Sequence, residues 1–237
     1  MNLYITHLRN DIRQIVRDPI MLILMLVPCI LIVLSKLAIL LLFPWLLTHT
    51  GFDFASYHPY VLSFVLLLSA GMLGIVTGFL MLDERDGSIA ELMSVTPLGR
   101  SGYLLNRLSF SSFISVIYGI LIISVLQISM PGVATALNLC LMMALYSSVF
   151  ALILYSGADD KVKGLTFAKA LNVLSFFGFT DLFHLPWLTG ISWLFPSYWI
   201  TAAIKNPGSL PINLMAAGVH LLWFAWLISR YLKRSEG

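Results

Sequence analysis

The sequence predicts an all-α membrane protein with six membrane-spanning helices, and three observations lead to that prediction. Hydrophobic residues make up 59% of the 237 residues, whereas charged residues make up only 11%. A soluble domain has about 25% charged residues, so this chain has too few charges to cover a water-exposed surface. Several charge-free apolar runs exceed the about 18 residues that mark a membrane span. This composition excludes a soluble enzyme, a nucleic-acid-binding module or a disulfide scaffold as the main body.

The first predicted element is an amphipathic helix over the polar residues 1–19. Apolar residues recur there at helical spacing, while Arg9, Arg13 and Arg17 repeat every four positions on another face. A basic amphipathic helix of this kind lies on the inner membrane surface. It serves either as an anchor at the interface or as a contact platform for a cytoplasmic partner.

Six spans follow within a single permease domain, 1–237. They are predicted from the apolar runs at about 20–47, 59–82, 104–130, 134–156, 165–183 and 212–232. In this arrangement both termini lie on one side, together with every Lys and Arg except Lys36 and Lys205. Because cytoplasmic loops have an excess of Lys and Arg, we expect a multi-pass protein of the plasma (inner) membrane with both termini in the cytoplasm.

The longest predicted cytoplasmic loop, which separates the second span from the third, contains a helix signal. Ser88 and Glu91 form an S-x-x-E capping box, in which each side chain satisfies a backbone N–H that lacks a partner. Gly87 permits the preceding turn, and Pro97 ends the helix after about two turns. A short capped helix is costly to hold unless it packs against something. We therefore expect it to dock onto a partner through an apolar side that includes Leu92.

The aromatic segment 184–211, ahead of the last span, is too apolar for an ordinary outer loop. Four prolines interrupt it, at Pro186, Pro196, Pro207 and Pro211. Short helices that dip back into the outer leaflet fit this pattern, provided that protein buries their backbone polar groups. A loop lying on the membrane surface is the alternative.

Two charges are predicted to lie inside the bilayer, Lys36 on the first span and Asp181 on the fifth. An intramembrane charge costs about 2.5–3.5 kcal/mol on insertion scales and therefore indicates a function or a partner. Counting residues from the inner span ends places both toward the outer leaflet. They either pair with each other or extend separately toward the membrane surface.

Small residues on the second span predict close helix packing. Gly74 and Gly78 form a G-x-x-x-G pair, and Gly71 extends the small-residue patch. Such residues let membrane helices approach each other closely. The pattern fits packing within the chain, and it also fits contact between two subunits.

Three patches resemble the permease subunit of a type-2 ATP-binding-cassette exporter. The segment ERDGSIAELMSVTPLGRSGYLLNRL resembles the family's E-R-x-x-G-T-x-E-x-L…T-P signature, with Ser88 where threonine is usual. The connecting helix that leads into the first span resembles RNDIRQIVRDPIMLILMLVP, and the P-x-x-Y/W element resembles FPSYWITAAI. With the six-span layout, the resemblance covers essentially the whole chain.

The resemblance implies a second permease subunit, identical or different, and a separate ATPase subunit beneath each permease. The helix at 88–95 would be the coupling helix seated in an ATPase groove, with Glu84 and Glu91 placed for polar contacts. The N-terminal helix would rest on the ATPase flank. The residues thereby assigned to ATPase coupling are Arg9, Arg13, Glu84, Gly87, Ser88, Glu91, Leu92 and Pro97. ATP and Mg would belong to the partner, since this chain contains no G-x-x-x-x-G-K-[ST] loop.

The functional prediction is the membrane subunit of an ATP-driven exporter of an amphipathic or hydrophobic compound, such as a drug, an antibiotic or a lipid-like molecule. The alternatives are a non-transporting assembly or sensor subunit of the same fold, an intramembrane enzyme and an ion-coupled carrier. The enzyme would need paired glutamates and paired histidines, whereas Glu84 has no glutamate neighbour and the five histidines form no H-x-x-x-H pattern. A carrier would have inverted repeats and a polar midplane site, and the sequence has neither signal. The expected partners are the ATPase, the second permease and membrane lipids, with no nucleic acid, no metal and no cofactor in this chain.

Overall fold

Long apolar helices form the body of the molecule. A computed structural model describes residues 11–87, 99–129 and 131–234, and these residues contain no β-strand. Within them, five helical stretches are long and apolar enough to cross a membrane: Pro19–Thr50, Phe54–Asp86, Ser101–Leu126, Val133–Gly157 and Leu210–Lys233. The prediction of an all-helical membrane protein is confirmed at this level.

The helices of the described residues are numbered here in chain order. The first five are α1 over 11–17, α2 Pro19–Leu37, α3 Phe43–Thr50, α4 His58–Asp86 and α5 Gly99–Leu126. The others are α6 Val133–Gly157, α7 Lys161–Asn172, α8 Pro186–Ser192, α9 Pro196–Lys205 and α10 Leu210–Arg234. A π-helical turn, Ala38–Leu42, joins α2 to α3, and 3₁₀ helices cover Phe54–Tyr57 and Val173–Phe183.

Helix α4 lies at the centre of the bundle. Of its apolar stretch 89% is buried, against 11% for Pro19–Thr50. It packs directly along α6, where a Cβ atom on Gly74 would lie 2.7 Å from Cβ of Phe150 and would also clash with the Ser147 carbonyl oxygen. The absence of a side chain at Gly74 therefore serves packing within the chain, which decides between the two interpretations of the small-residue pair.

Local side-chain contacts explain where several helices begin. Asp18 caps α2, because its carboxylate accepts from the backbone N–H groups of Ile20 and Met21 at 2.8 and 3.1 Å, and Pro19 follows as the first helical residue. Asp160 caps α7 in the same way. Gly87 ends α4 with a φ of −84°, a conformation open to any residue, so the expected need for glycine at this turn is not found.

The predicted fifth span, 165–183, is not one regular α-helix, since α7 gives way at Val173 to a 3₁₀ helix. The combined segment still runs the full length of α4. At one end Lys161 Nζ lies 2.8 Å from the carboxylate of Asp83, near the end of α4. At the other, Asp181 accepts from the Tyr60 hydroxyl, near the start of α4, at 2.9 Å.

These contacts define the two ends of the bundle. We call the end that contains Asp83 and Lys161 the basal end, and the end that contains Tyr60 and Asp181 the distal end. The end of α10 is also basal, because the rings of Tyr231 and Tyr155, which lies near the end of α6, are 5.8 Å apart.

The segment 184–211 forms two short helices, α8 and α9, as predicted. Both outer ends of this hairpin are distal, and at the end of α9 Lys205 donates to the Tyr60 hydroxyl at 2.8 Å. The turn between the helices lies much deeper. Ser197 donates to the Leu174 carbonyl at 2.7 Å, and the indole N–H of Trp223, near the middle of α10, donates to the Leu194 carbonyl at 2.8 Å. The hairpin thus enters and leaves at the distal end, and hydrogen bonds at its turn reach the middle of the bundle.

Candidate functional site

Of the eight residues predicted to contact a partner, four lie within one chain segment, 88–98, and the other four precede it in sequence. Five of them lie outside the described residues: Arg9, Ser88, Glu91, Leu92 and Pro97. The structure describes Arg13, Glu84 and Gly87, and it describes the helices that lead into and out of this segment. The candidate site is therefore built from the end of α4, the start of α5 and helix α1.

Glu84 is buried inside its own chain, with only 4% of its surface exposed. One carboxylate oxygen accepts from Nε of Arg107 at 2.8 Å, and the other accepts from Nη2 of the same guanidinium. The Tyr103 hydroxyl donates to the carboxylate at 2.7 Å. Glu84 therefore joins the end of α4 to the start of α5, in place of the expected polar contact with an ATPase surface.

Arg107 also contacts α1, the N-terminal helix. Its Nη1 donates to the Asp11 carboxylate at 2.5 Å, and both residues are buried. A buried guanidinium requires such partners, because moving an unpaired charge out of water costs several kcal/mol. We call Asp11, Glu84, Tyr103 and Arg107 the Arg107 cluster.

Sequence reasoning missed three members of this cluster, Asp11, Tyr103 and Arg107, of which Asp11 and Arg107 form its link to α1. The available signals were an aspartate within a basic helix and an arginine in the first turn of a span. Neither signal identifies a partner, because the two residues are 96 positions apart in sequence.

Arg85 anchors the end of α4 to the end of α6. Its guanidinium donates to the backbone carbonyls of Tyr155, Ala158 and Asp159, at 3.3, 2.7 and 2.5 Å. It also lies over the Tyr155 ring, 5.2 Å from the ring centre. The last carbonyls of a helix have no partner within the helix, and a cation satisfies them. In the Glu-Arg pair of the sequence signature, Glu84 thus connects α4 to α5, and Arg85 connects α4 to α6.

A second ionic group at the basal end is centred on Lys161. Its ammonium lies 2.5 Å from the Asp18 carboxylate and 2.8 Å from the Asp83 carboxylate. These two ion pairs join the start of α7 to the start of α2 and to the end of α4. Burial alone would raise the pKa of Asp18, but hydrogen bonds from Lys161 and from the Met21 and Ile20 amides outweigh it and hold this pKa below its ordinary value. The stabilisation from Asp18 is therefore present at neutral pH and is lost as pH falls through that lowered pKa.

Helix α1 presents a mixed surface outside the bundle. Ile15 is buried, whereas Ile12 and Val16 are 46% and 58% exposed. Arg13 and Arg17 are exposed as well. One apolar residue of α1, Ile15, therefore packs into the bundle, whereas Ile12 and Val16 remain exposed. The exposed surface of α1 combines apolar and basic residues, as expected at a membrane interface.

Lys36 and Asp181 have different partners, so the suggested pair between them does not form. Lys36 Nζ donates to the Leu126 carbonyl at 3.4 Å, where α5 ends. Asp181 is paired with Lys205 and accepts from Tyr60. Lys36 thus caps a helix, whereas the Asp181 ion pair joins the end of the 3₁₀ segment to the end of α9.

The Asp181–Lys205 pair gives a direct test of the distal end. Asp181→Asn and Lys205→Met should each lower thermal stability in detergent, and their effects should be coupled by about 1 kcal/mol, because either single change leaves one charge without its partner. The matched comparison is Asp181→Asn combined with Lys36→Met, for which the two losses of thermal stability should simply add, because these residues are not partners. Thermal unfolding of the two mutant cycles measures both, and an additive Asp181/Lys205 cycle would contradict the pairing.

Comparisons with known proteins agree with one another, because the matching family model and the matching relatives are all described as export permeases. A family model described as "Fluoroquinolones export permease protein Rv2686c-like" matches residues 11–228. Two relatives from Mycobacterium tuberculosis are named fluoroquinolones export permease proteins, MT2760 from strain CDC 1551 / Oshkosh and Rv2686c from strain ATCC 25618 / H37Rv. Each is 29% identical over 232 residues, which cover 94% of this chain and 90% of the relative. No solved structure matches the chain.

Proposed function

Because this chain belongs to the Rv2686c-like family of fluoroquinolone export permeases, we propose that it is the membrane subunit of an ATP-driven drug exporter. The observation that carries the proposal is the match of this permease family over residues 11–228, nearly the whole chain. The substrate class that follows from the relatives' names is the fluoroquinolones, which fits the expectation of an amphipathic or hydrophobic compound.

The proposed topology has six crossings. Five are the long apolar helices, and the sixth is the segment 161–183, which spans the bundle alongside α4. An even number of crossings is consistent with α1 and the end of α10 both lying at the basal end. The placement of Lys and Arg then favours a cytoplasmic basal end in the plasma membrane.

The basal end is the proposed docking surface for an ATP-binding-cassette ATPase, which would hold ATP and Mg. Segment 88–98 would supply the coupling helix, and the exposed Arg13 of α1 would lie beside it. Glu84 and Arg85 act within the chain, where they fix the position from which this segment leaves the bundle. A second permease subunit, identical or different, would complete the transporter.

Transport into inverted membrane vesicles tests the proposal. Vesicles that contain this chain and its co-purified ATPase should accumulate a fluoroquinolone, followed by the drug's own fluorescence, when ATP is added. A non-hydrolysable ATP analogue is the control and should give no accumulation. Accumulation that does not depend on ATP, or the absence of any ATP-binding-cassette ATPase after mild solubilisation, would contradict an ATP-driven exporter.

Two substitutions test the proposed coupling helix. Leu92→Asp should abolish export and drug-stimulated ATP hydrolysis, because it places a charge on the docking side. Glu91→Ala should weaken both activities less, since loss of a cap costs about 0.5–2 kcal/mol. Both variants should insert normally into the membrane.

The matched control for Leu92→Asp is Val133→Asp, which adds the same charge to an exposed apolar residue at the distal start of α6. It should leave ATPase association intact. Wild-type export by Leu92→Asp would mean that segment 88–98 is a plain loop.

A further inference from the structure

The Arg107 cluster lies where three separate parts of the chain meet at the basal end. Helix α4 leads into segment 88–98, α5 leads out of it, and α1 lies against both. The two helices share a buried apolar cluster that includes Met81, Leu104 and Leu108. Among the described residues, the polar side-chain contacts that join them are those around one guanidinium.

The hydrogen bonds within the Arg107 cluster are charge-assisted, which makes them stronger than hydrogen bonds between neutral groups. Arg107 binds Glu84 through two nitrogens, a bidentate geometry that fixes orientation as well as distance. The four residues are nearly inaccessible to water, with 2–6% of their surface exposed. Charge-assisted hydrogen bonds shielded in this way are screened little by salt and hold their geometry.

The cluster is asymmetric in charge, since two carboxylates share one guanidinium. Glu84 receives two hydrogen bonds from Arg107 and one from Tyr103. Among the described residues, Asp11 is held by Arg107 alone. The hydrogen bond between Asp11 and Arg107 is therefore the polar contact that joins α1 to the α4–α5 pair, beside the apolar packing of Ile15 in the core. It can be removed without breaking the Glu84–Arg107 contact.

We propose that the Arg107 cluster is a positioning device that makes α1, α4 and α5 move as one body, so that force applied by the ATPase at α1 or at segment 88–98 is delivered to both membrane helices. This inference rests on the proposed function and assigns Asp11 and Arg107 a role in coupling. The ATPase can shift the permease between conformations only through contacts that differ between its own ligand states. Those contacts move both membrane helices together only if α1, α4 and α5 are joined to each other. Loss of the cluster should therefore uncouple ATP hydrolysis from export.

The first experiment measures coupling in the complex of permease and ATPase reconstituted in liposomes. Asp11→Asn keeps the side-chain shape and removes the charge. It should lower the number of drug molecules exported per ATP hydrolysed about tenfold, within the range of ordinary coupling energies. Asp11→Glu, which retains the carboxylate, should recover most of this ratio. Asp181→Asn removes an ion-paired carboxylate at the distal end and should leave the ratio unchanged.

The second experiment tests the rigidity of the basal end in the permease alone, so it does not depend on the ATPase. Spin labels are attached to cysteines placed at the exposed positions Val16 on α1 and Leu105 on α5, after Cys29 and Cys140 have been replaced by alanine. The distance distribution should be narrow, should broaden in Asp11→Asn and in Arg107→Lys, and should stay narrow in Asp181→Asn.

The outcomes separate the two proposals. An unchanged distance distribution in both cluster variants would overturn the positioning role. Broadening with an unchanged export-to-ATP ratio would also overturn it, because the cluster would then be structural only. A permease that has the predicted distance changes but never binds an ATPase would instead contradict the proposed exporter function.

Discussion

Gly74→Val should prevent the bundle from folding. A Cβ atom at this position would lie 2.7 Å from Cβ of Phe150 and would clash with the backbone carbonyl of Ser147. Backbone atoms of α6 cannot move aside without separating the helix from α4. Overpacking of a core costs about 1–3 kcal/mol when side chains can adjust, and here the obstacle is main chain, so we expect a larger loss.

Size-exclusion chromatography of the solubilised protein measures this effect as the loss of a monodisperse peak. Substitutions at two other glycines provide comparisons for the effect of Gly74→Val. Gly78→Ala should cause a smaller drop in melting temperature, because its nearest neighbour is the flexible end of the Leu154 side chain. Gly218→Ala on α10 should cause none, since nothing lies within 4 Å of its Cβ position. A monodisperse Gly74→Val protein with wild-type melting would contradict the described α4–α6 contact.

Arg85→Met should have the second-largest effect on stability. The change removes hydrogen bonds to three carbonyls at the end of α6 and leaves those carbonyls without the cation. A hydrogen bond to a charged group contributes about 1.5–3 kcal/mol, so we expect a loss of several kcal/mol. Arg85→Lys should restore only part of it, because an ammonium cannot reproduce the planar fork of a guanidinium.

Thermal unfolding, together with limited proteolysis of the 158–160 connection between α6 and α7, measures the Arg85 effect. Lys163→Met is the matched control, since Lys163 pairs with Asp159 and Asp160 on an exposed surface, where ion pairs contribute little. Equal melting temperatures for Arg85→Met and Lys163→Met would show that Arg85 does not anchor α6.

Hydropathy predicted the helices but not the details of the fifth span. The 3₁₀ segment Val173–Phe183 approaches its neighbours very closely at Gly178. A Cβ atom on Gly178 would lie 2.8 Å from the Leu67 side chain and 3.0 Å from the Ser197 carbonyl oxygen. Such contacts arise from the tertiary arrangement and leave no periodic signal in the sequence.

Ionic partners were predicted less well, for a geometric reason. Counting residues along a span gives the depth of a charge, and it placed Lys36 and Asp181 toward the same, distal end. It does not give the direction in which a helix face points, nor does it foresee that the α8–α9 hairpin returns Lys205 to Asp181.

The interpretation of Glu84 was limited by a similar lack of tertiary information. The signature identified an important part of the chain, but its first acidic residue turned out to face inward, toward Arg107. Only the three-dimensional arrangement brings an arginine 23 positions later in sequence onto the same carboxylate.

The depth of the α8–α9 hairpin has a consequence for how the protein is made. Leu194, in the turn of the hairpin, receives its hydrogen bond from Trp223, a residue that the ribosome adds 29 positions later. This hydrogen bond can form only after α10 has been translated, so the hairpin completes its packing against the bundle only when the last span is in place.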